Sequence, residues 1–578
     1  MDRDSIDHNI VKFHNGTLDD AYNFLGSHLV YDEGEIVGAT FCVYEPYAIN
    51  VCVIRDGCNP CSMNKISDEG FWFLYLPSVN EGDKYQYLIT TQDEAEIIKS
   101  DSFAFYTTEN KSVILDIEKY YEWYDEDYMH FRKNRNYQEE PLVIYELDIN
   151  NWKKSITTYQ DLSKELIPYL IEHGFTHVEL ISLLNEGILA PNSQFGEGKS
   201  LMSFIDECHK HNIGIFLDFP SAYFEDVIKG ITKNNQNADL SEYLSILVSA
   251  LSFWCLYYHI DGIRLNNLSD IIYFQGDISH GINLKGLKFL RTLNDRLSNL
   301  HPDILLIAGE TIDFPNVTRR VCDHGLGFHY QWDNGWMKDI LDFFEEEPLF
   351  RKYLSYNLNL SLMRPFSQKT IIPLAHTMFN IRKTALIKRM SGDLTERFQN
   401  LRVLIGLLFT YPCKKLLYMG NEFAQMNDYY SSYELDWYLY QYSPHILYNN
   451  YIKALIKLYR EEKALYETDH SKSGFIWINQ DHEEHSVFSY VRLSKNHKEI
   501  LIIVINATPL LYKEYKLGVP YQGEFKEILN SNHEDFGGNH IVNDGIIATT
   551  EENYLGFKYT LKLCLPPLGI IVLKRTSN

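Results

Sequence analysis

The sequence predicts an α/β fold in which a central (β/α)8 TIM barrel is flanked by N-terminal and C-terminal β-sandwich domains. Residues 109–464 alternate apolar, strand-like runs with helix-like runs, and eight such pairs can be counted. The flanking segments, 1–108 and 465–578, contain short β-branched and aromatic runs separated by turn residues. A chain of 578 residues is also too long for one compact core, which agrees with three domains.

The N-terminal segment, residues 1–108, is predicted to be an all-β domain. Its strand-like runs are GATFCVYEP, NVCVIRD, GFWFLYLPS and KYQYLIT, separated by Gly, Pro, Asn and Asp. Trp72 lies inside the third run, so we expect it to belong to the domain core rather than to a sugar-stacking platform.

The middle segment carries the eight barrel strands. Most of them are nearly continuous apolar runs, as expected of parallel strands that are buried on both faces. Between them, runs such as YQDLSKELIPYLIEHG and KSLMSFIDECHKHN space their apolar residues three and four apart, which indicates amphipathic helices. In such barrels the functional groups lie at the carboxyl ends of the strands, so those ends are the candidate site. The predicted strands are 143–149, 177–182, 213–219, 260–266, 303–310, 326–332, 369–376 and 414–422.

After residue 465 the chain returns to β-type patterning. The runs HSVFSYVRL, EILIIVINAT, YTLKLCL and GIIVLKR alternate with turn-rich pieces such as SNHEDFGGN. This pattern predicts a second sandwich-like domain.

Charge and composition exclude several classes of partner. The net charge of −25, from 78 acidic and 53 basic residues, disfavours nucleic acid and anionic membranes, because both would repel the chain. The terminal stretch MDRDSIDHNI lacks the apolar core of a signal peptide, and no apolar run approaches the ~18 residues of a membrane span. Nine cysteines, an odd and sparse number, indicate reduced thiols. We therefore expect a cytoplasmic protein.

One pair of cysteines has the spacing of a metal or redox motif. Cys58 and Cys61 form a CxxC in CNPC, but no second CxxC follows at the distance of a zinc ribbon. A single CxxC in a turn is weak evidence, so we predict no metal site and no cofactor.

The stretch HIDGIRLNNL, residues 259–268, closes the fourth predicted strand and points towards a function. The pattern D-G-[LF]-R-x-D ends this strand in enzymes that cut and rejoin α-glucans. Together with FPNVTRR, GLGFHYQWDNGWMKDIL, PLFRKY, KKLLYMGNEFAQ and SYELDWYL, it resembles the glycogen (1,4-α-glucan) branching enzymes of the α-amylase superfamily. The resemblance runs nearly end to end. The run GATFCVYEPYAINVCVI is similar to the family's N-terminal carbohydrate-binding module, and the tail of the chain, which extends from YKLGVP to LPPLGIIVLKR, resembles the family's C-terminal all-β domain.

This resemblance implies a retaining glycosyl transfer with a carboxylate nucleophile, a carboxylic acid/base and a third carboxylate that holds sugar hydroxyls. In the nucleophile position this sequence has Asn266 instead of Asp. The acid/base position, within I-A-E-E-[ST] in the family, has Gly309 in place of the first Glu. The stabiliser position, within L-P-L-S-H-D-E, keeps His376 but has Thr377 and Met378 after it. By resemblance, all three catalytic carboxylates are lost.

Further positions are assigned to substrate binding by the same resemblance. Asp218 is kept, the family's sugar-contacting His is replaced by Tyr223, and His376 is kept as a polar residue of the barrel mouth. Arg264 holds the nucleophile in the family, and here we expect it to pair with a neighbour such as Asp218. The family's W-G-Y-Q-x-T-G-Y-Y segment is reduced to NEGI, and IRKTAL replaces H-G-K-G-S-L after the seventh strand.

Three other acids could substitute for the missing carboxylates. Glu310 matches the second Glu of the acid/base motif, but neighbouring strand residues point to opposite faces, so we expect it to face away from the barrel axis. Asp270 and Asp313 are expected to be caps or solvated loop residues, which is the common role of Asp in such positions.

Three interpretations remain open. The first is a catalytically silent branching-enzyme-like protein, a pseudoenzyme, that binds α-glucan such as glycogen or amylose, or a partner enzyme of glycogen metabolism. The second is an active 1,4-α-glucan branching enzyme that uses displaced carboxylates. The third is an interaction protein without sugar affinity, whose former cleft is filled by residues such as Tyr223 and Phe379. The loss of three carboxylates favours the first interpretation over the second.

Overall fold

A computed structural model of the chain describes residues 3–184, 187–224, 240–312, 314–354, 366–377, 384–429, 433–479 and 486–577. By its internal contacts the chain divides into two compact units. The first unit comprises residues 1–135, 155–167 and 180–329, and the second comprises residues 136–154, 168–179 and 330–578.

The N-terminal part of the chain forms two antiparallel sheets, with the strand orders β1-β2-β6-β5 and β4-β3-β7-β10-β9, and β8 pairs with β7. Trp72 is 4% exposed within the core that these sheets enclose, so the prediction that it is a core residue is confirmed. The strands are β1 Gly26–Asp32, β2 Glu35–Tyr44, β3 Ala48–Arg55, β4 Cys61–Ser62, β5 Asn64–Lys65, β6 Phe71–Pro77, β7 Lys84–Thr91, β8 Glu96–Lys99, β9 Thr107–Thr108 and β10 Lys111–Val113.

A helix, Arg3–His14, precedes these strands, and the β-type patterning of residues 1–108 did not predict it. Its Phe13 side chain is fully buried, and the ring lies 5.1 Å from that of Phe71. The Ser245 hydroxyl also donates to the Phe13 carbonyl oxygen at 3.0 Å. Burial of Phe13 therefore stabilises a segment whose own sequence is mostly polar.

The eight predicted barrel strands all form, and β11 to β18 close in chain order into a barrel. Neighbouring strands are parallel; for example, Asp218 of β13 lies opposite Arg264 of β14. Six of the eight strands end before the predicted residue, and Asn266 and Gly309 are the first residues after β14 and β15. The barrel strands are β11 Val143–Asp148, β12 His177–Ile181, β13 Gly214–Phe219, β14 Gly262–Leu265, β15 Leu305–Ala308, β16 Tyr330–Trp332, β17 Thr370–Leu374 and β18 Lys414–Tyr418.

Helices connect most of the barrel strands. Within the described ranges, no helix is long and apolar enough to cross a membrane. The helices that follow the first one are Glu126–Lys133, Ile149–Trp152, Tyr159–His173, Gly198–Lys210, Ser241–Tyr257, Ser269–Ile272, Leu284–Leu300, Asn334–Glu345, Leu386–Arg389, Leu394–Thr410 and Ser443–Glu461.

The C-terminal part forms a sheet of strand order β19-β20-β21-β26-β23-β24 and a two-stranded sheet of β22 and β25. Strand β21 is a continuous run of six aliphatic residues followed by Asn506, and all seven of its residues are buried. This confirms the predicted second β domain. The strands are β19 Phe475–Asn479, β20 Val487–Leu493, β21 Ile500–Asn506, β22 Tyr512–Val519, β23 Glu524–Asn530, β24 Ile546–Ala548, β25 Tyr559–Leu565 and β26 Gly569–Ser577.

A buried charged network lies at the amino ends of β13 and β14. Asp261 is fully buried, and its carboxylate accepts hydrogen bonds from Ile215 N at 2.6 Å and from the Tyr128 hydroxyl at 2.9 Å. The same carboxylate lies 3.1 Å from His209 Nε2 and 3.4 Å from Arg132 Nη1. Because a buried carboxylate must be paired to be tolerated, Asp261 ties these elements together.

A second buried acid lies beyond the carboxyl end of β18. The Glu422 side chain is fully buried, and its Oε1 accepts hydrogen bonds from the Tyr145 hydroxyl at 2.8 Å and the Tyr169 hydroxyl at 2.6 Å. Burial raises the pKa of Glu422 from 4.5 to about 7. The native state therefore binds this proton more tightly than the unfolded chain does.

We expect Glu422→Gln to flatten the pH dependence of stability between pH 5 and 8. The folded protein holds this proton more tightly than the unfolded chain does. The resulting stabilisation is fully present at pH values below the unfolded pKa of 4.5, and it is lost as pH rises through the folded pKa of about 7. The wild-type protein should lose on the order of 3 kcal/mol over this range, because one pKa unit corresponds to about 1.4 kcal/mol. Glutamine accepts the same tyrosine hydrogen bonds but stays neutral.

The measurement is urea unfolding followed by circular dichroism at pH 5, 6, 7 and 8. Glu461→Gln, at an exposed site on the helix Ser443–Glu461, serves as the control for the change of charge. A Glu422→Gln protein whose stability falls with pH as steeply as that of wild type would contradict the prediction.

Candidate active-site residues

Three polar side chains meet where β13 and β14 end. Arg264 Nη1 donates to Asn266 Oδ1 at 2.7 Å, and Asn266 Nδ2 donates to Asp218 Oδ1 at 2.7 Å. Arg264 Nη2 lies 3.1 Å from Asp218 Oδ2, which is the ion pair predicted for Arg264. Both polar atoms of the Asn266 amide are therefore engaged, one by a guanidinium and one by a carboxylate.

Gly309 leaves the space that the Asn266 amide occupies. Its backbone N–H continues the strand pairing by donating to Leu265 O at 2.8 Å. A Cβ atom on residue 309 would lie only 2.0 Å from Asn266 Oδ1 and 3.1 Å from Arg264 Cγ. Any side chain at position 309 would thus displace the amide, so the observed position of Asn266 requires glycine there.

Glu310 is held by a backbone N–H at the start of a neighbouring helix. Its Oε1 accepts a hydrogen bond from Ser269 N at 2.9 Å, at the start of the helix Ser269–Ile272, and burial raises the pKa of this carboxyl. Because β15 ends at Ala308, the strand alternation from which its orientation was predicted does not extend to Glu310. That reason was wrong, and the hydrogen bond to Ser269 determines where the carboxylate lies. Asp270 occupies the first turn of the same helix.

Tyr223 is hydrogen-bonded to the short segment NEGI, which by resemblance replaces a longer loop of the family. Its hydroxyl donates to Gly187 O at 2.8 Å, and its ring lies 5.2 Å from that of Phe219. Burial raises the pKa of Tyr223 to about 12, so the phenol is neutral at physiological pH. The Ile188 carbonyl, next in the segment, accepts a hydrogen bond from Trp254 Nε1 at 3.1 Å. Two aromatic side chains thus fix the short segment.

Glu146 of β11 and His376, which follows β17, form another polar pair. Glu146 is fully buried, and its carboxylate accepts from His376 N at 2.7 Å and lies 2.6 Å from His376 Nδ1. Thr377 comes directly after this histidine and is partly buried. Sequence reasoning missed Glu146. The available signal was an acid inside an apolar strand, since a buried carboxylate needs a partner.

Some candidate residues lie outside the described residues, namely Asp313, Met378, Phe379 and the first two residues of NEGI. Among the residues that the structure does describe, no group of three or more His, Cys, Asp or Glu side chains could hold a metal ion. Cys58 is exposed, Cys61 is partly buried, and both are free thiols.

The chain is 36% identical over 610 aligned positions to the 1,4-alpha-glucan branching enzyme GlgB of Geobacillus stearothermophilus, covering 98% of this chain and 95% of the relative. This chain belongs to the GlgB branching-enzyme family. A GlgB of Bacillus cereus strain AH820 is 34% identical, with 97% of this chain and 94% of the relative covered. The protein is therefore branching-enzyme-like and belongs to glucan metabolism.

Domain and structure comparisons agree with this membership. Residues 7–103 match the "alpha-1,4-glucan branching enzyme GlgB, N-terminal domain", and residues 477–576 match the "Alpha amylase, C-terminal all-beta domain". A pullulanase of Anoxybacillus sp. LM18-11, solved in complex with maltotetraose, superimposes with a TM-score of 0.68 at 12% identity, covering 96% of this chain and 89% of that one. The pullulanase of Bacillus acidopullulyticus gives 0.67 at 15% identity, covering 95% and 75%. At this identity the two structures establish the fold alone, which is the predicted one.

Proposed function

We propose that this GlgB-family protein is a pseudoenzyme that binds α-glucan or a partner enzyme of glucan metabolism without transferring glucan chains. The observation that carries the proposal is the engagement of the Asn266 amide by Arg264 and Asp218 at the position where the family has its nucleophile. An amide nitrogen and oxygen held in this way offer no carboxylate to form a glycosyl intermediate.

The acid/base step lacks a group as well. Gly309 has no side chain to protonate the leaving oxygen, and Thr377 offers a hydroxyl where the family has a carboxylate. General acid–base catalysis alone contributes about 10²–10⁴-fold to the rate, and the loss of covalent catalysis adds to that. Transfer at a useful rate is therefore not expected.

The parts of the chain that surround these positions support binding rather than decay. The barrel closes with all eight strands, and both flanking β domains form. The named relatives are 1,4-alpha-glucan branching enzymes, and one similar structure was solved with maltotetraose, so an α-glucan is the first ligand to test. A partner enzyme is the alternative ligand.

A second candidate is an active branching enzyme with a displaced acid. The identity of 36% to a branching enzyme favours it, and so does Glu310, because burial raises the pKa of that carboxyl as a general acid requires. Against it, the Glu310 carboxylate accepts a hydrogen bond from the Ser269 backbone.

The deciding test is incubation of the purified protein with amylose, followed by debranching and comparison of chain lengths. We expect the profile to match the untreated control, while the Geobacillus stearothermophilus GlgB in a parallel reaction produces new short chains. New short chains from this protein would refute the proposal, and loss of that activity in a Glu310→Gln variant would assign it to the displaced acid.

Glucan binding needs its own readout. Co-sedimentation with glycogen should retain the protein in the pellet, with serum albumin as the control that stays in solution. Absence of both branching and co-sedimentation would remove glucan from the proposal and leave the interaction protein without sugar affinity.

A further inference from the structure

A surface depression opens near the amino ends of β14 and β15, the ends opposite to Asn266 and Gly309. It has a volume of about 540 Å³ and lies beside His259, which precedes β14, and Asp303, which precedes β15. The helix Glu126–Lys133 forms one wall. In (β/α)8 barrels catalytic groups lie at the carboxyl ends of the strands, so this depression is separate from the branching chemistry.

Four side chains that carry nitrogen atoms line this depression, and each has at least one nitrogen without a hydrogen bond to a described residue. The Arg132 guanidinium donates through Nε to Asp303 at 2.7 Å and through Nη1 to two carbonyl oxygens and Asp261, but its Nη2 has no acceptor among the described residues. His301 Nε2 is shielded from solvent and has no hydrogen-bond partner in the described part of the chain. A buried polar atom without a partner is rare in native proteins and indicates a missing ligand or water.

The remaining two nitrogen donors are Lys133 and His259. Lys133 is exposed, and its Nζ forms no ion pair with any residue that the structure describes. His259 is held by Asp125, with its Nδ1 at 2.9 Å from the carboxylate, which leaves Nε2 without a hydrogen bond to a described residue. The histidine ring also stacks on Trp123, with ring centroids 3.9 Å apart, so its orientation is fixed.

The charge of the lining differs from that of the whole chain. Arg132 and Lys133 are two permanent cations, and Asp303 is the single carboxylate of the lining. Asp303 and Asp261 both pair with Arg132, so Lys133 is the cation of this lining that no described carboxylate compensates, on a chain with a net charge of −25. Convergent N–H donors and positive charge are the features that recognise an oxyanion.

The size and the apolar wall indicate what the oxyanion carries. A depression of about 540 Å³ lies within the range of small-molecule sites and exceeds the needs of a free phosphate. Its apolar lining includes Met129, Leu256, Leu300 and Pro302, and Leu256 and Leu300 are 51% and 43% exposed. We infer that this depression binds a phosphate monoester of a small organic molecule, with the phosphate on Arg132, Lys133, His259 and His301 and the organic part against the apolar wall.

Calorimetric titration of the full-length protein at pH 7 with inorganic phosphate, glucose 1-phosphate and AMP tests this inference. At least one of the two esters should bind with a Kd below about 1 mM and at least tenfold more tightly than inorganic phosphate. The same ester should raise the Tm, because a ligand that binds only the native state stabilises it. No ester binding at 10 mM would overturn the inference, and equal affinity for inorganic phosphate would overturn the monoester assignment.

Variants locate the bound ester. Lys133→Gln and His301→Gln should each weaken ester binding at least tenfold, and neither residue forms an ion pair with any residue that the structure describes. Lys164→Gln, an exposed lysine on the helix Tyr159–His173, is the matched control and should leave the Kd unchanged. Ester binding that survives both Lys133→Gln and His301→Gln at wild-type strength would place the ligand elsewhere and refute the site. This test is independent of branching activity, so its outcome does not depend on the proposed function.

Discussion

Replacing Gly309 with alanine is expected to lower the free energy of unfolding by about 2 kcal/mol, within the range of overpacked sites. The new Cβ would lie 2.0 Å from Asn266 Oδ1, so the amide must rotate away. Rotation would break the hydrogen bonds from Arg264 and to Asp218, both at 2.7 Å, and leave two charged groups without their shared partner. Urea unfolding of Gly309→Ala and wild type measures the difference.

A double-mutant cycle isolates the clash. Asn266→Ala removes the amide, so Gly309→Ala in that background should cost less than about 1 kcal/mol, from the remaining 3.1 Å contact with Arg264 Cγ, and the coupling between the two changes should exceed about 1 kcal/mol. Gly187→Ala is the control for the loss of a glycine, since its nearest contact to a Cβ is an ordinary 3.6 Å. Equal effects of Gly309→Ala in both backgrounds would show that the two positions are not linked. A positive result would also mean that restoring Glu at position 309 requires removal of Asn266 first.

The barrel could be predicted from the sequence because parallel strands buried on both faces leave a clear trace. Runs such as VIYELD and KKLLY each carry two charged residues but are otherwise apolar, and they became β11 and β18 with all but one of their residues buried. The strand ends could not be predicted to the residue. Asn266 and Glu310 were placed within strands, whereas those strands end at Leu265 and Ala308.

The candidate site was predicted as a set of positions but not as a set of contacts. The resemblance identified Asn266, Gly309 and Asp218, yet it gave no indication that the Asn266 amide fills the space above Gly309. The partner of His376 is Glu146, 230 residues away in the chain. Such pairings depend on how distant segments meet in the folded barrel, and a single sequence holds no direct signal for them.

Asp261→Asn is expected to have the largest effect on stability, a loss of about 3–5 kcal/mol at pH 6. The carboxylate lies 3.1 Å from His209 Nε2 and 3.4 Å from Arg132 Nη1, and all three groups are buried. The amide would leave the Arg132 charge less compensated and would turn N–H donors towards Tyr128 or Ile215, which now donate to residue 261. Asp127→Asn, at an exposed position on the helix Glu126–Lys133, should change stability by less than about 1 kcal/mol.

The same variant should change how stability depends on pH. Burial opposes the charge on His209, but the carboxylates of Asp261 and Asp125 outweigh it, so the pKa of His209 is raised above its ordinary value of 6.5. A raised histidine pKa contributes stability that is fully present below pH 6.5 and is lost as pH rises through the native pKa. Wild type should therefore be more stable at pH 6 than at pH 9 from this source, and Asp261→Asn should lose most of that difference. The measurement is the urea unfolding midpoint of wild type and of Asp261→Asn at pH 6 and pH 9. If the midpoint of the variant changed with pH as much as that of wild type, Asp261 would not be the group that holds the charge on His209.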